Sequence, residues 1–412
     1  MSKHGYRPCS SQWASPPRKF PATGFHLIDS SMEIEEEALP TYNPEKYYPV
    51  QQGEILNDRY QVVAKLGYGV TSTVWFGRDL LDSKYVALKV CVTGQEENRE
   101  LNIYDRINSV QTTHPGRRFI RKLYSSFFIE GPHGRHLCLV HELLGENALE
   151  VVQMGPGRAM TIRNMKPCIR QLLVVLDFLH SESLQVIHTD LQLKNLLLPS
   201  PETNMLLKFE NQEVKAPSAR KVLEDRTIYT SSKNFPGGSG LPLLTDFGEA
   251  RYGKEHHADI MPNMYRAPEV ILKTSWDCKV DIWSVAMIAW DIVCPHTLID
   301  GHNPDGIFDD RVHLAELVAL LGPPPPEFRS SSKLSSVFWD ESGNWKGLAP
   351  IPDITLEGLA TKIKGGDTEG FLRWLRAALQ WNPKDRPTAI ELLYDDWLLE
   401  GLPLGKTEKT EK

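Results

Sequence analysis

A chain of 412 residues can bury a large core, and admits either one two-lobed domain or two separate ones. Its 46 basic and 53 acidic side chains leave a net charge of −7, which excludes a global basic field for nucleic acid but allows local acidic surface for a basic partner. Six scattered cysteines (Cys9, Cys91, Cys138, Cys168, Cys278, Cys294) form no Cys-x-x-Cys pair, so reduced thiols in a cytoplasmic or nuclear setting are expected rather than a disulfide framework or zinc site. No apolar run reaches the roughly 18–20 residues of a membrane span.

Residues 1–59 read as an N-terminal extension, partly disordered. Its first 28 residues carry Lys3, Arg7, Arg18 and Lys19 and no acid before Asp29, and they lack the apolar core of a secretory signal. That composition fits a disordered leader better than a transit peptide. A short acidic run, Glu33-Ile34-Glu35-Glu36-Glu37, follows.

From Tyr60 the pattern changes. Tyr60–Leu66, Ser72–Arg78 and Tyr85–Val92 are rich in Val, Thr and aromatic residues and are broken by Gly or by Asp82-Ser83, which predicts strands. Glu96–Ile107 reads as a helix, and Phe119–Glu130 with His136–Leu143 as a hairpin around Gly131-Pro132-His133-Gly134. Beyond Gly145, apolar residues at three-to-four spacing predict helices over Met165–His180, Val280–Val293, Val312–Leu321, Gly370–Gln380 and Thr388–Leu398. A β-rich part, 60–145, thus precedes a larger helical part, 146–398, within an α+β chain. Residues 199–242 have the Pro, Ser and Gly content of an insert, and 399–412 form a polar tail.

The chemistry-bearing residues fall in order along this plan. Leu66-Gly67-Tyr68-Gly69-Val70-Thr71-Ser72-Thr73-Val74 joins two strands, and its glycines let backbone N–H groups approach phosphate oxygens that a Cβ would obstruct. Lys89 lies in the apolar stretch Val86-Ala87-Leu88-Lys89; if buried, its charge needs an acidic partner, with Glu100 the first candidate and Glu97 and Glu96 behind it. In His188-Thr189-Asp190-Leu191-Gln192-Leu193-Lys194-Asn195 a carboxylate precedes an amide by five places. Asp190 there suits a group that orients and deprotonates a hydroxyl, and Asn195 one that helps hold a metal on phosphate. Asp246, in Thr245-Asp246-Phe247-Gly248, suits a metal-binding carboxylate at a strand end. Ala267-Pro268-Glu269, Asp281 and Arg386 follow, and Glu269 with Arg386 forms a candidate buried ion pair.

Taken together, these motifs resemble the signature set of the eukaryotic protein kinases over about Tyr60 to Leu398. The resemblance implies a two-lobed protein-kinase fold that uses ATP and Mg2+. It implies that Leu66, Gly67, Tyr68, Gly69, Val70, Ser72, Val74 and Ala87, with Glu142 and Leu144 at the hinge, bind the nucleotide. Lys89, paired with Glu100, would hold its phosphates; Asp190 would be the base, and Asn195 and Asp246 the magnesium ligands. Thr189, Tyr48-Pro49-Val50, Arg59-Tyr60, Ser72-Thr73-Val74-Trp75 and Glu142-Leu143-Leu144-Gly145 narrow the likeness to the SR-protein kinases of the CMGC group. That family phosphorylates serines in Arg/Ser-rich splicing factors, which implies protein substrates, no direct nucleic-acid or membrane partner, and a monomer in the cytoplasm or nucleus.

The chain departs from the pattern in places. Gln192 stands where the family has lysine, Lys194 where glutamate is usual, Ser72 where a third glycine is expected, and His141 at the gatekeeper position. From Asp246 to Glu269 there is no Ser or Thr, and Thr189 removes the usual phosphate-binding arginine, so activity independent of loop Ser/Thr phosphorylation is expected. Asp300, Asp305, Asp309, Asp310 and Glu316 make either a docking groove for arginine-rich substrates or a solvated charged loop. An active Ser/Thr kinase, a nucleotide-binding pseudokinase or scaffold, and a small-molecule kinase remain as functional classes.

Overall fold

The computed structural model describes residues 13–94 and 97–402; residues 1–12 with Cys9, residue Glu96 and the last ten residues of the tail lie outside them. Backbone contacts divide the chain into two units. The first holds the described residues up to Asn102, with Arg121–Glu146 and Leu197–Gly240; the second holds Ile103–Ile120, Asn147–Leu196 and the residues from Leu241 on.

The first unit is built on six antiparallel strands: β1 (Ile55–Leu56), β2 (Tyr60–Gly69), β3 (Ser72–Asp79), β4 (Lys84–Cys91), β5 (Leu123–Gly131) and β6 (Gly134–Glu142). Their order across the sheet is β1-β2-β3-β4-β6-β5. β1 to β4 pair in sequence and β5 pairs with β6, each across a short connection, while β4 pairs with β6 and not with β5. Between β3 and β4, Asp79 Oδ1 accepts the N–H groups of Leu81 and Asp82, each at 3.2 Å, while Arg59 Nε donates to it at 2.8 Å. Strand alternation then sorts the apolar residues onto two faces. One face packs Val62, Trp75, Val86, Leu88 and Val140 beneath Val50, Leu56 and Tyr229. The other packs Val63, Ala64, Phe76 and Ala87 with Leu143.

That second face is covered by the segment 199–242, which was expected as an insert in the helical part and instead belongs to the β-rich unit. It contains the helix Thr203–Lys215 and a hairpin of Arg220–Val222 with Thr227–Tyr229. Leu206 and Phe209, three residues apart on one helix face, enter the core beside Phe76. Burying such side chains contributes about 1.5–3 kcal/mol each. Its charged residues are anchored too: buried Glu210 accepts from Tyr85 Oη at 2.6 Å and meets Arg18 and Arg78 at 3.3 and 3.1 Å.

The described part of the extension is ordered by charge. The acidic run neutralises two buried lysines: Lys65 pairs with Glu36 and lies 3.6 Å from Glu35, and Lys221 pairs with Glu37 at 2.7 Å. A buried lysine persists only with such partners, which is why the run does not simply solvate.

The second unit is helical. Its long helix Ile162–Leu179 starts at Thr161, whose hydroxyl accepts the Asn164 N–H at 3.3 Å. Lys279–Val293 is apolar on nearly every side and is buried all round, as that composition requires. Asp310–Leu321 and Thr368–Ala378 match the periodicity of the sequence within two residues at each end. The single helix expected over Thr388–Leu398 is two short ones, Ala389–Leu393 and Asp396–Leu399. Asp395 breaks it by capping the second, accepting the Trp397 N–H at 3.0 Å.

Candidate active site

In the first unit, pairing register aligns the candidate phosphate-binding residues. Gly67 faces Val74, Val74 faces Lys89, and Lys89 faces Leu139 across four strands. Leu66, Val74 and Ala87 share one cluster with Leu143. Tyr68 and Val70 are exposed at the hairpin end, and Ser72 is buried. Gly67 and Gly69 do not have positive φ, and a Cβ built on either meets nothing within 4 Å. The fold therefore does not require glycine at either position. An open space that side chains would crowd is what a phosphate cradle needs.

Lys89 Nζ donates to Glu100 Oε2 at 2.6 Å, and both side chains are largely buried. Of the three acids considered, Glu100 makes the contact, Glu97 is exposed, and Glu96 lies outside the described residues. The short spacing is met by Asn98, whose Oδ1 accepts the Leu101 N–H at 2.9 Å, so the helix Arg99–Ser109 starts immediately before Glu100. His141 Nε2 sits 3.5 Å from the other oxygen, Glu100 Oε1. Burial first, then the cations of Arg121 and Lys89, hold the His141 pKa well below the usual histidine range, so the ring is a neutral core group. At the hinge, the Glu142 carbonyl accepts from Arg121 Nε at 2.8 Å, and the Gly145 N–H donates to Leu198 O at 2.9 Å.

In the second unit the loop after the strand Val186–Ile187 is anchored from below. The buried carboxylate of Asp281, at the head of the helix Lys279–Val293, accepts the N–H groups of His188 and Thr189 at 2.8 and 2.9 Å. His180 Nε2 meets the same carboxylate at 2.9 Å. The His188 ring spans the loop: Nε2 lies 3.0 Å from the Thr245 carbonyl and Nδ1 accepts the Asp190 N–H at 3.3 Å.

Asp190 is thereby presented with both carboxylate oxygens engaged. Gln192 Nε2 donates to Oδ1 at 2.8 Å, and Asn195 Nδ2 donates at 2.8 Å to both Oδ2 and the Asp190 carbonyl. Burial is the main influence on Asp190 and raises its carboxyl pKa; Asp246 pushes the same way, against His188, Asn195 and Gln192. Because the Asn195 nitrogen is committed to Asp190, its Oδ1 is the end left for a cation. Thr245 ties Asn195 to Asp246, donating from its backbone at 2.9 Å and its hydroxyl at 3.0 Å to the Asn195 carbonyl. Asp246 adopts φ 60°, and Phe247 after it is fully buried, edge-on to Tyr104 at 5.3 Å and tilted 5.1 Å from His188. Among the described residues no cluster of three or more His, Cys, Asp or Glu can hold a metal alone. An amide and one carboxylate fit magnesium, which keeps waters and substrate phosphates as its other ligands.

The chain segment after Asp246 is held by hydroxyl and backbone contacts. Thr189 Oγ1 donates to the Glu249 carbonyl at 2.7 Å, and Arg251-Tyr252 pairs antiparallel with Val186-Ile187. Further along, Glu269 and Arg386 form a fully buried bidentate pair at 2.6 and 2.7 Å.

Thus Leu66, Gly67, Val74, Ala87 and Lys89 stand together on one sheet, with Glu100 brought to Lys89 from the helix Arg99–Ser109, and Asp190, Gln192, Asn195 and Asp246 on one loop system.

A protein kinase domain model matches residues 60–398. The chain belongs to the serine/threonine protein kinases. It is 41% identical over 392 residues to a serine/threonine protein kinase of Aspergillus fumigatus, covering 94% of this chain and 96% of that protein. It is 28% identical to the serine/threonine-protein kinase SRPK of Physarum polycephalum, across 92% of this chain and 93% of that one. SRSF protein kinase 3 of Homo sapiens is 24% identical, across 90% and 92%. Members of this kinase family use ATP with magnesium. No helix among the described residues is long and apolar enough to cross a membrane.

Two features escaped sequence reasoning in this kinase. The role of Asp281 as anchor of the Asp190 loop was visible only as an acid heading an apolar helix. The acidic region is also less available than its sequence implied. Asp309 caps its own helix and pairs with Arg311 at 2.6 Å, Asp310 lies 3.4 Å from Arg266, and Glu316 accepts the backbone N–H groups of Asp300 and Gly301. Asp300 contacts His302 at 3.2 Å.

Proposed function

We propose that this kinase transfers the ATP γ-phosphate to serine in Arg/Ser-rich proteins such as splicing factors. In this reading the first unit binds nucleotide through Leu66, Gly67, Tyr68, Gly69, Val70, Ser72, Val74 and Ala87, with the backbone of Glu142 and Leu144 meeting the base. Lys89, fixed by Glu100, contacts the phosphates. In the second unit Asp190 orients and accepts the proton of the substrate hydroxyl, and Asn195 and Asp246 hold magnesium, which neutralises phosphate charge when bound. The observation that carries this reading is the Asp190 carboxylate held at 2.8 Å by both Gln192 and Asn195.

Gln192 supplies a neutral N–H where a cation is usual, so it positions Asp190 while giving less electrostatic stabilisation to the transferred group. The Thr189–Glu249 bond and the Arg251-Tyr252 pairing support activity without loop Ser/Thr phosphorylation. Likeness to the SR-protein kinases supports basic substrates, as do Asp300 and Asp305, which stand exposed. It also supports a monomer of the cytoplasm or nucleus, with residues 60–398 as the kinase domain.

Purified protein with labelled ATP, magnesium and an Arg-Ser peptide, beside a generic basic protein, tests the reading. Transfer to the peptide, abolished in Asp190→Asn, is expected. Transfer to neither substrate, with wild type and Asp190→Asn alike, would leave a scaffold; transfer that requires phosphate elsewhere in the kinase domain would overturn constitutive activity.

A further inference from the structure

The hairpin Gly67–Ser72 carries two glycines and ends in exposed Val70, so nothing in its own sequence explains a fixed tip. The tip is nevertheless held. Tyr47, in the N-terminal extension, places its hydroxyl 3.0 Å from the Gly69 carbonyl and 3.2 Å from the Val70 carbonyl. The next carbonyl, that of Thr71, accepts the Val92 N–H at 2.9 Å. Three successive carbonyls at the turn are therefore engaged by the body of the unit.

Tyr47 is itself rigidly placed. Asn43 Oδ1 accepts the Glu45 N–H at 3.0 Å and caps the single turn Pro44–Lys46, whose end delivers Tyr47. The Tyr47 N–H closes that turn on Pro44 O at 3.1 Å, and Lys46 O accepts the Thr93 N–H at 2.9 Å. Arg226 of the 199–242 segment donates to the Pro44 carbonyl from outside. The ring is buried and packs on Tyr42 at 5.2 Å. Burial, with the Glu36 carboxylate nearby, raises the phenol pKa, so the hydroxyl remains a donor at neutral pH.

We propose that Tyr47 is a positioning residue for the nucleotide phosphates, acting through the carbonyls of Gly69 and Val70. The physical reason is the planarity of the peptide group. In a trans peptide the C=O of one residue and the N–H of the next point in opposite directions. Holding the carbonyls of Gly69 and Val70 toward Tyr47 therefore turns the N–H groups of Val70 and Thr71 away from it, the orientation a phosphate cradle needs. The hydroxyl also restricts a glycine-containing turn that would otherwise sample many conformations, so phosphate binding need not order it. The inference rests on the reading of Gly67–Val74 as the nucleotide-covering loop.

Tyr47→Phe keeps the ring and removes the hydroxyl, so the fold is expected to persist, as an unchanged melting profile would confirm. Kd values for ATP and for adenosine, measured by calorimetry on wild type and variant, test the proposal together with hydrogen exchange at 67–72. The expected result is a roughly three- to tenfold weaker ATP Kd, the scale of one lost neutral hydrogen bond. Adenosine binding should be unchanged, and exchange faster at the turn. KM for ATP should rise while kcat at saturating ATP falls less. Equal ATP affinity and equal exchange in the two proteins overturn the role of Tyr47; equal weakening of adenosine and ATP overturns it too, by showing general loosening. Failure of wild type to bind either ligand overturns instead the nucleotide reading on which it rests.

Discussion

Removing one partner of the Glu269–Arg386 pair should be among the most destabilising polar substitutions in the second unit. Both side chains are 0% exposed. The guanidinium uses its full set of donors: Nε to Gln380 O at 2.9 Å, the two terminal nitrogens to Glu269 at 2.6 and 2.7 Å, and further contacts to Lys279 O at 3.1 Å and Trp381 O at 3.5 Å. It also lies 5.0 Å from the centre of the Trp283 ring. Glu269→Met strands a buried cation and Arg386→Met a buried carboxylate, and each should cost about 3–5 kcal/mol. At roughly 2–4 °C per kcal/mol, Tm falls by about 6–20 °C. The double substitution Glu269→Met/Arg386→Met should cost about 2–4 kcal/mol less than the summed singles, because neither charge is then left alone. It should still not match wild type, since the carbonyls of Gln380 and Lys279 lose their donor. Urea unfolding of the four proteins measures this, with the exposed Arg373–Asp395 pair (58% and 19% exposed) as a control expected to contribute about 0–1 kcal/mol. Single substitutions at Glu269 or Arg386 no worse than Arg373→Met, or strictly additive with each other, refute the argument.

Other consequences can be checked separately. Gln192→Ala removes the donor to Asp190 Oδ1 and should lower kcat about tenfold with KM for ATP little changed, whereas Gln192→Lys should raise kcat several-fold; steady-state kinetics unaffected by either would disprove the assignment. His313 is fully buried, and burial first, then Arg266, pushes its pKa down to about 3. Below pH 6.5 the unfolded chain binds a proton that the folded one refuses, so stability is full above 6.5 and falls toward pH 3, by up to about 1.4 kcal/mol per pH unit. Asp291, raised to about 6 by burial, works in the opposite sense between about 6 and 3.8, so the test compares slopes: the Tm of His313→Leu should rise relative to that of wild type as pH falls from 6.5 to 4, and a constant difference would refute the assignment. Finally, phosphorylation of an Arg-Ser peptide should weaken steeply between low and physiological salt if exposed acids such as Asp305 dock it, and a flat salt profile would assign that region to solvation.

The strands and most helices were legible because burial imposes a period on the chain, and one face of the sheet or helix must carry the apolar residues. Legibility ended where polar contacts rather than periodicity decide. The 199–242 segment looked like an insert in the helical part because Pro236-Gly237-Gly238 and its serines mark its composition, while the apolar face that docks its helix rests on Leu206 and Phe209. Within the extension the acidic run reads as solvated, and nothing local shows that Lys65 and Lys221 will be buried against it. Long-range charge pairing has no sequence period.

The same division holds at the site. Asp190, Asn195 and Asp246 were legible as candidates by residue type and spacing, and the structure joins them in one loop system. What orients them was not. The Asp281 carboxylate, some ninety positions on from His188 and Thr189, fixes their backbone, and Thr245 joins Asn195 to Asp246. Thr189 shows why the departures matter as much as the matches. An arginine there would bring a cation able to bind a phosphate. A threonine hydroxyl is satisfied by the neutral Glu249 carbonyl at 2.7 Å, which the folded chain always supplies. The strand pairing of Arg251-Tyr252 with Val186-Ile187 extends the same logic, using backbone groups present in every molecule. Both contacts use neutral groups, a hydroxyl and backbone amides, and neither needs a phosphate in order to form.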